Sequence, residues 1–173
     1  LFEKWDTKIF NNISKAEQKH MDALKLLLDR YSLEDPITND EVGVFVNEEL
    51  QHLYNSLIET GNKSLIDALH VGAAIEEIDI LDLIKFTNLI DNEDIKFVYD
   101  NLNRGSRNHL RSFVKNLNNQ GVDYEAHYMT QEDFLEIINS DMEKGGKGKQ
   151  GKGKNGKGKN GKGKNGNGGK GKG

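Results

Sequence analysis

The sequence predicts an all-α protein, an antiparallel bundle of helices followed by a low-complexity tail. Three observations lead there. Along residues 1–143 apolar side chains recur at steps of three and four, with no convincing alternation of the kind a half-buried strand shows. Ser, Thr or Asn stands ahead of most of these periodic stretches, where helices take their N-caps. Residues 144–173, by contrast, hold 14 of the 19 glycines and 11 of the 24 Lys and Arg residues, with no Asp or Glu.

That split divides the chain into a helical domain, residues 1–143, and a basic tail, residues 144–173. The domain carries 13 basic and 28 acidic residues, a formal charge of −15, which the tail's +11 reduces to −4 for the whole chain. About 140 residues are enough for one domain with its own core. Cysteine is absent, which excludes a disulfide framework and a thiolate metal site. The longest apolar runs fall far short of the roughly 20 residues a membrane helix needs, so no membrane span is expected. Leu1 stands where a Met would begin a chain, and "LFEKW" reads as the last turn of a helix already under way. A truncated first helix or a signal peptide upstream is the expectation, and the cellular compartment stays open.

The first full helix is expected from Ser14, with Glu17 at capping-box spacing, to about Tyr31, with Ile13, Leu24, Leu27 and Tyr31 along one stripe. "SLEDPITND" ends it, because Pro36 cannot continue a helix and Asp35, Asn39 and Asp40 favour turns. Asn47 caps a short helix carrying Leu50, Leu53, Tyr54 and Leu57 up to Gly61. A long helix from Ser64 to about Ile90 has Leu65, Leu69, Gly72, Glu76, Asp79, Leu83, Phe86 and Ile90 on one face. Another, from about Asn92 to Leu117, aligns Ile95, Val98, Leu102, Gly105 or Ser106, His109, Phe113 and Leu117. Thr130 and Asp133 cap a last short helix. Gly72 and Gly105 sit mid-helix at a propensity cost of about 1 kcal/mol each, which close helix approach explains.

Polar residues on these apolar stripes carry the functional argument. Glu17 and His20, three apart, reach the same side of one helix. Glu76 and Asp79 intrude on the second long stripe and His109 on the third. An acid or imidazole on an apolar face loses hydration and needs a partner, a proton or a metal ion in compensation. Mid-helix positions of facing helices converge in a bundle, and bundle cores build carboxylate–histidine metal sites in this way. Oxygen and imidazole donors together suit iron, manganese or zinc, one or two ions per chain.

Each donor also has a structural role open to it. Glu17 can be the capping partner of Ser14, and His20 and His109 can be hydrogen-bonded core histidines. Glu76 and Asp79 can pair with Arg104 or Arg107. Glu77 is an alternative to Glu76, on a second stripe of Ala73, Glu77, Ile80 and Ile84 that also holds His70. His52 and His127 read as surface residues, and Tyr31, Tyr54 and Tyr99 as core tyrosines with satisfied hydroxyls.

"SKAEQKHMDALKLLLDRY", "IEEIDILDL", "NLNRGSRNHLRSF" and "TQEDFLEII", in this order, resemble the ferritin-like proteins carrying the DUF2202 domain, over nearly all of residues 1–143. The resemblance implies a ferritin-like four-helix bundle related to rubrerythrins and bacterioferritins. In the rubrerythrin-like ligand pattern Glu17 and His20 match the second helix's Glu-x-x-His, Glu76 and Asp79 resemble the third helix's Glu-x-x-Glu, and His109 matches the fourth helix's histidine. Ser106 stands where the fourth helix would supply its Glu, and no first-helix Glu can be assigned. The bridging carboxylate set is therefore incomplete relative to that pattern.

The tail repeats "GKGKN" three times from residue 151 to 165 and contains no apolar residue, so it cannot offset the entropy of ordering and is expected to be a disordered polycation. Its candidate partners are anionic polymers or the acidic body of another copy, the latter giving a homo-oligomer. Two functions follow. In one, the domain binds metal and handles iron or performs oxidase or peroxidase chemistry. In the other it is a non-catalytic scaffold tethered through its tail.

Overall fold

Six helices make up the regular secondary structure of the described residues: α1 (Phe2–Trp5), α2 (Lys8–Tyr31), α3 (Glu48–Gly61), α4 (Leu65–Thr87), α5 (Glu93–Asn119) and α6 (Gln131–Asn139). The chain is all-α. This computed structural model describes residues 1–145 except Thr38 and Asp40, with only the backbone of Phe2 and Glu3. The basic tail from residue 146 onward lies outside the described residues, and with it the expectation of disorder.

Local signals set three of the six helix starts. The Asn47 side chain accepts the Leu50 N–H at 3.0 Å. Ser64 accepts the Asp67 N–H at 3.0 Å and donates its hydroxyl to the Asp67 carboxylate at 2.6 Å, and Thr130 with Asp133 repeats the arrangement. In the loop after α2, Asp35 and Asn39 accept the N–H groups of Ile37 and Glu41 as turn formers do, while Asp40 lies outside the described residues.

The start of α2 differs from expectation. Ser14 lies exposed inside a helix that begins two turns earlier, at Lys8, behind a Thr7 whose side chain caps nothing. Ile9 and Phe10 explain the difference, since both are buried in the core. Burying two such side chains contributes about 1.5–3 kcal/mol each. A capping interaction contributes about 1 kcal/mol, so the longer helix wins.

α5 carries α2, α4 and α6, while α3 packs on α4. α4, joined to α5 by residues 88–92, runs antiparallel, with Gly72 against the Phe113 ring and Glu76 beside His109. α2 is antiparallel to α5 as well: Phe10 meets Phe113 with ring centroids 5.9 Å apart, His20 meets Gly105, and Arg30 binds Asp94 at 2.6 Å. α2 and α4 are therefore parallel, and residues 32–64, carrying α3, form one long crossover between them. Both pack on α5 rather than on each other.

The dry core occupies one end of this assembly. Leu69, Ala73, Ile80, Leu110, Phe113, Leu117 and Phe134 are all at most 3% exposed. At the other end the stripes open to solvent: Phe86 is 45% and Tyr31 38% exposed, although both were expected in the core. Tyr31 donates its hydroxyl to Asp94 at 2.8 Å, a surface partner that suits its polar tip. Among the described residues no helix is long and apolar enough to cross a membrane.

Two carboxylates hold the irregular segments. Glu77, fully buried on α4, accepts the Tyr124 hydroxyl at 2.6 Å and the N–H groups of His127, Tyr128 and Met129 at 2.7–3.1 Å, anchoring the loop between α5 and α6. Glu143 receives Arg107 and Arg111 and draws the segment after α6 onto α5. Replacing Glu77 with Ala would leave a buried hydroxyl and backbone donors without an acceptor. The expected cost is about 3 kcal/mol or more, read as a lower urea midpoint with faster proteolysis between residues 122 and 130.

Candidate metal centre

Glu17 of α2, Glu76 of α4 and His109 of α5 meet where the dry core ends. Each offers one donor atom, and the three atoms lie within 4.8 Å of one another. Glu17 reaches two imidazoles at once: its Oε2 lies 2.9 Å from His20 Nδ1 and its Oε1 2.9 Å from His109 Nδ1. Glu76 Oε1 is 3.4 Å from the same His109 nitrogen. The His20 contact is a well-directed hydrogen bond. The contacts of His109 have the distance of one but not its direction, and Glu17 Oε1, Glu76 Oε2 and His109 Nδ1 are all buried without an aligned hydrogen-bond partner.

Electrostatics follows from that crowding. Burial raises the Glu76 carboxyl to about 7 despite the His109 ring beside it, with the Glu17 and Asp79 charges adding to the rise. Burial, and then repulsion from Glu17 and Asp82, lifts Asp79 to about 6. Burial also acts on Glu17, but contact with His109 and His20 outweighs it and brings that carboxyl down to about 2. For His109 burial is outweighed by Glu17 and Glu76, which hold the ring protonated up to about 9. Without an ion, His109 keeps its proton beside the ionised Glu17, while the Glu76 carboxyl titrates near neutrality.

These residues fit a metal ion. Bonds of about 2.0–2.2 Å from one ion place its ligand atoms roughly 3–3.5 Å apart, a modest contraction of the arrangement described. Two carboxylate oxygens and an imidazole nitrogen are a donor set for iron, manganese or zinc. Deprotonation of His109 and Glu76 on binding would replace repulsion and misdirected contacts with coordination.

The cluster is reached from two sides. A polar cavity of about 390 Å³ is lined by Thr7, Lys8, Asn12, Ser112 and Asn116 and ends at His109. On the opposite side a cleft of about 310 Å³ between α2 and α4, floored by α5, holds Glu17, His20 and Asp79 among Leu24, Leu83, Phe86 and Tyr99. Gly105 lets the His20 ring lie against α5, for a Cβ there would come within 2.6 Å of His20 Cε1.

All five candidate donors therefore lie at this centre. Glu17, Glu76 and His109 form its inner group, His20 is tied to it through Glu17, and Asp79 lines the cleft. Glu77, the alternative to Glu76, faces the α5–α6 loop instead. Arg104 and Arg107 do not pair with Glu76 or Asp79, since Arg104 binds Asn101 and Arg107 binds Asn103 and Glu143. Ser106 is 2% exposed and faces the cleft, where it offers no carboxylate. His52 and His127 are exposed, as expected. The polar cavity was not anticipated. Ser112 and Asn116 follow His109 at steps of three and four, the signal that marks them on the same face.

The model of the DUF2202 family, described as an uncharacterized protein domain, matches residues 1–141. The chain belongs to this family. A relative, the uncharacterized protein MJ0754 of Methanocaldococcus jannaschii, is 54% identical over 145 residues, which are 84% of this DUF2202 chain and 78% of the relative. The crystal structure of the hypothetical protein MJ0754 from Methanococcus jannaschii superposes with a TM-score of 0.80 at 54% identity, covering 82% of this chain and 81% of that one.

Two outcomes test the geometry of the DUF2202 centre. Glu76 and Asp79 have raised folded-state values, so ionising them costs stability as pH climbs from about 4 to about 7; His109, also raised, gives stability that is full below about 6.5 and lost as pH passes about 9. Glu17 is depressed, so its contribution is present above about 4.5 and lost toward about 2. The thermal midpoint of metal-free protein should therefore fall steadily between about pH 5 and 9, and a flat profile there would contradict the cluster. Gly105→Ala should displace His20 and weaken metal affinity about 10–100-fold, measured by competition with a chelator, while the helix remains intact by circular dichroism.

Proposed function

We propose that this chain is a ferritin-like metal-binding protein whose centre is built from Glu17, Glu76 and His109, with His20 and Asp79 on its cleft side. One observation carries the reading: residues of three different helices offer donor atoms within 4.8 Å of one another, and Glu17 Oε1, Glu76 Oε2 and His109 Nδ1 are buried without a well-directed hydrogen bond. A chain that hides such groups without satisfying them leaves a cost that an ion would remove. The ferritin-like assignment is supported by connectivity, since parallel α2 and α4 joined by one long crossover, with α5 antiparallel to both, is how ferritin-like bundles are strung.

With Ser106 in place of a carboxylate, the described residues suit one ion better than a symmetrical pair. Iron and manganese suit the oxygen-rich set, and zinc remains compatible with it. A redox-active ion there would exchange electrons with dioxygen or a peroxide, the chemistry behind iron handling or an oxidase or peroxidase activity. The chain's own part is to hold the donors. Glu17 spans the two imidazoles, Glu76 supplies a carboxylate from the core side, and Leu24, Leu83 and Phe86 line the cleft side.

A second reading has support of its own. The imidazolium between Glu17 and Glu76 partly compensates charge without an ion, and 11 lysines in residues 144–173 suit an anionic polymer. There the bundle is a scaffold, and deleting the tail would abolish a salt-sensitive interaction.

Elemental mass spectrometry of the purified protein separates the two. About one equivalent of iron, manganese or zinc, lost when His20 and His109 are both replaced by Ala, is the expected result. Absence of metal from the wild-type protein even after reconstitution would refute the metal-centre reading.

A further inference from the structure

We propose that His70 and His127 form a second metal site, on the surface and separate from the bundle centre, that takes a divalent ion of the zinc, copper or nickel class. His70 is half-buried on α4 and His127 is exposed in the loop between α5 and α6. Their ring centroids are 6.4 Å apart with perpendicular planes. An imidazole nitrogen binds zinc at about 2.0–2.1 Å, so an ion sits roughly 3.2 Å from the ring centre, and two rings sharing one ion stand about 5 Å apart at a tetrahedral angle and about 6.4 Å apart when they face each other across it. At 6.4 Å the pair has the spacing of two rings opposite each other on one ion, as tetragonal copper or nickel allows, and zinc would need them about 1 Å closer.

The pair is also held in place by groups that do not depend on an ion. The Tyr124 ring packs against both imidazoles at 5.3 Å, and its hydroxyl is fixed by Glu77 at 2.6 Å. The backbone N–H of His127 donates to the same buried carboxylate, at 3.0 Å to Oε2. Burial, and then the neighbouring His127, keep the His70 ring below its usual value, which favours the neutral form that binds metals. Asp67, one turn earlier on α4, adds a negative charge that favours a cation. Exposure of His127 leaves the remaining coordination positions to water. Two imidazoles and water are a donor set in which copper(II) binds more tightly than zinc.

The site is distinct from the centre at Glu76. His70 lies six residues, about 9 Å, earlier on α4 and on the stripe of Ala73 and Glu77. No part of the argument needs the bundle centre to hold metal.

The test is calorimetric titration of the full chain with copper(II) and, separately, zinc(II) at neutral pH. Wild type is compared with His70→Ala, His127→Ala and a variant carrying both His20→Ala and His109→Ala. A binding event that persists in the last variant and weakens at least about tenfold in each of the first two is expected, with copper(II) the tighter ion. Nitrogen hyperfine structure in the copper spin resonance spectrum should identify two imidazoles. Because His127 is tied to Glu77 through its backbone, His127→Ala keeps the loop, and an unchanged melting curve verifies this. An event unaffected by His70→Ala or His127→Ala, or lost only with His20 and His109, overturns the proposal; loss of a separate event with His20 and His109 reports on the bundle centre alone.

Discussion

Burying a carboxylate among apolar side chains costs several kcal/mol unless other groups answer it, and α4 buries two in succession. Glu76 and Glu77 are 3% and 0% exposed, adjacent in sequence, and project from neighbouring faces of one helix. Glu77 meets a complete set of donors, the Tyr124 hydroxyl and successive loop amides. Glu76 meets one imidazole off-axis and keeps an oxygen without a partner. The first carboxylate fixes the α5–α6 loop and with it one end of the core. The second remains available for chemistry. One residue of helical rotation separates a group that anchors the loop from one that faces the candidate centre.

The same division runs through the bundle. Aromatic and aliphatic side chains close the end at Phe10, Phe113 and Phe134, whereas α2 and α4 at the other end lean on α5 without covering each other. The charged cluster stands at this boundary. It is buried deeply enough to shift every carboxylate in it, yet it borders a polar cavity on one side and a cleft on the other. A site placed further toward Phe113 would be sealed, and one placed toward Tyr31 would be hydrated and its affinity for ions diluted by water. Gly105 adds a local refinement, because a side chain there would take the space of the His20 ring.

The sequence determined the all-α class, the caps at Asn47 and Thr130, the start of α4 at Ser64 and the identity of the candidate donors. These rest on local chemistry: a Ser or Thr hydroxyl reaches an amide three residues on whatever the rest of the chain does, and a polar residue on an apolar stripe is visible in the spacing alone. Gly72 and Gly105 were legible as close-approach positions for the same reason. Tertiary structure decided what those signals could not. The Ser14–Glu17 spacing mimics a cap, but packing of Ile9 and Phe10 against other helices extended α2 past it, because burial there outweighs a local hydrogen bond. Glu76 and Glu77 were interchangeable in the sequence, and only the arrival of the α5–α6 loop on one face distinguished them. The charges of Glu17 and His109 likewise follow from side chains about 90 residues apart in the chain brought within 2.9 Å of each other, a proximity that no local pattern encodes.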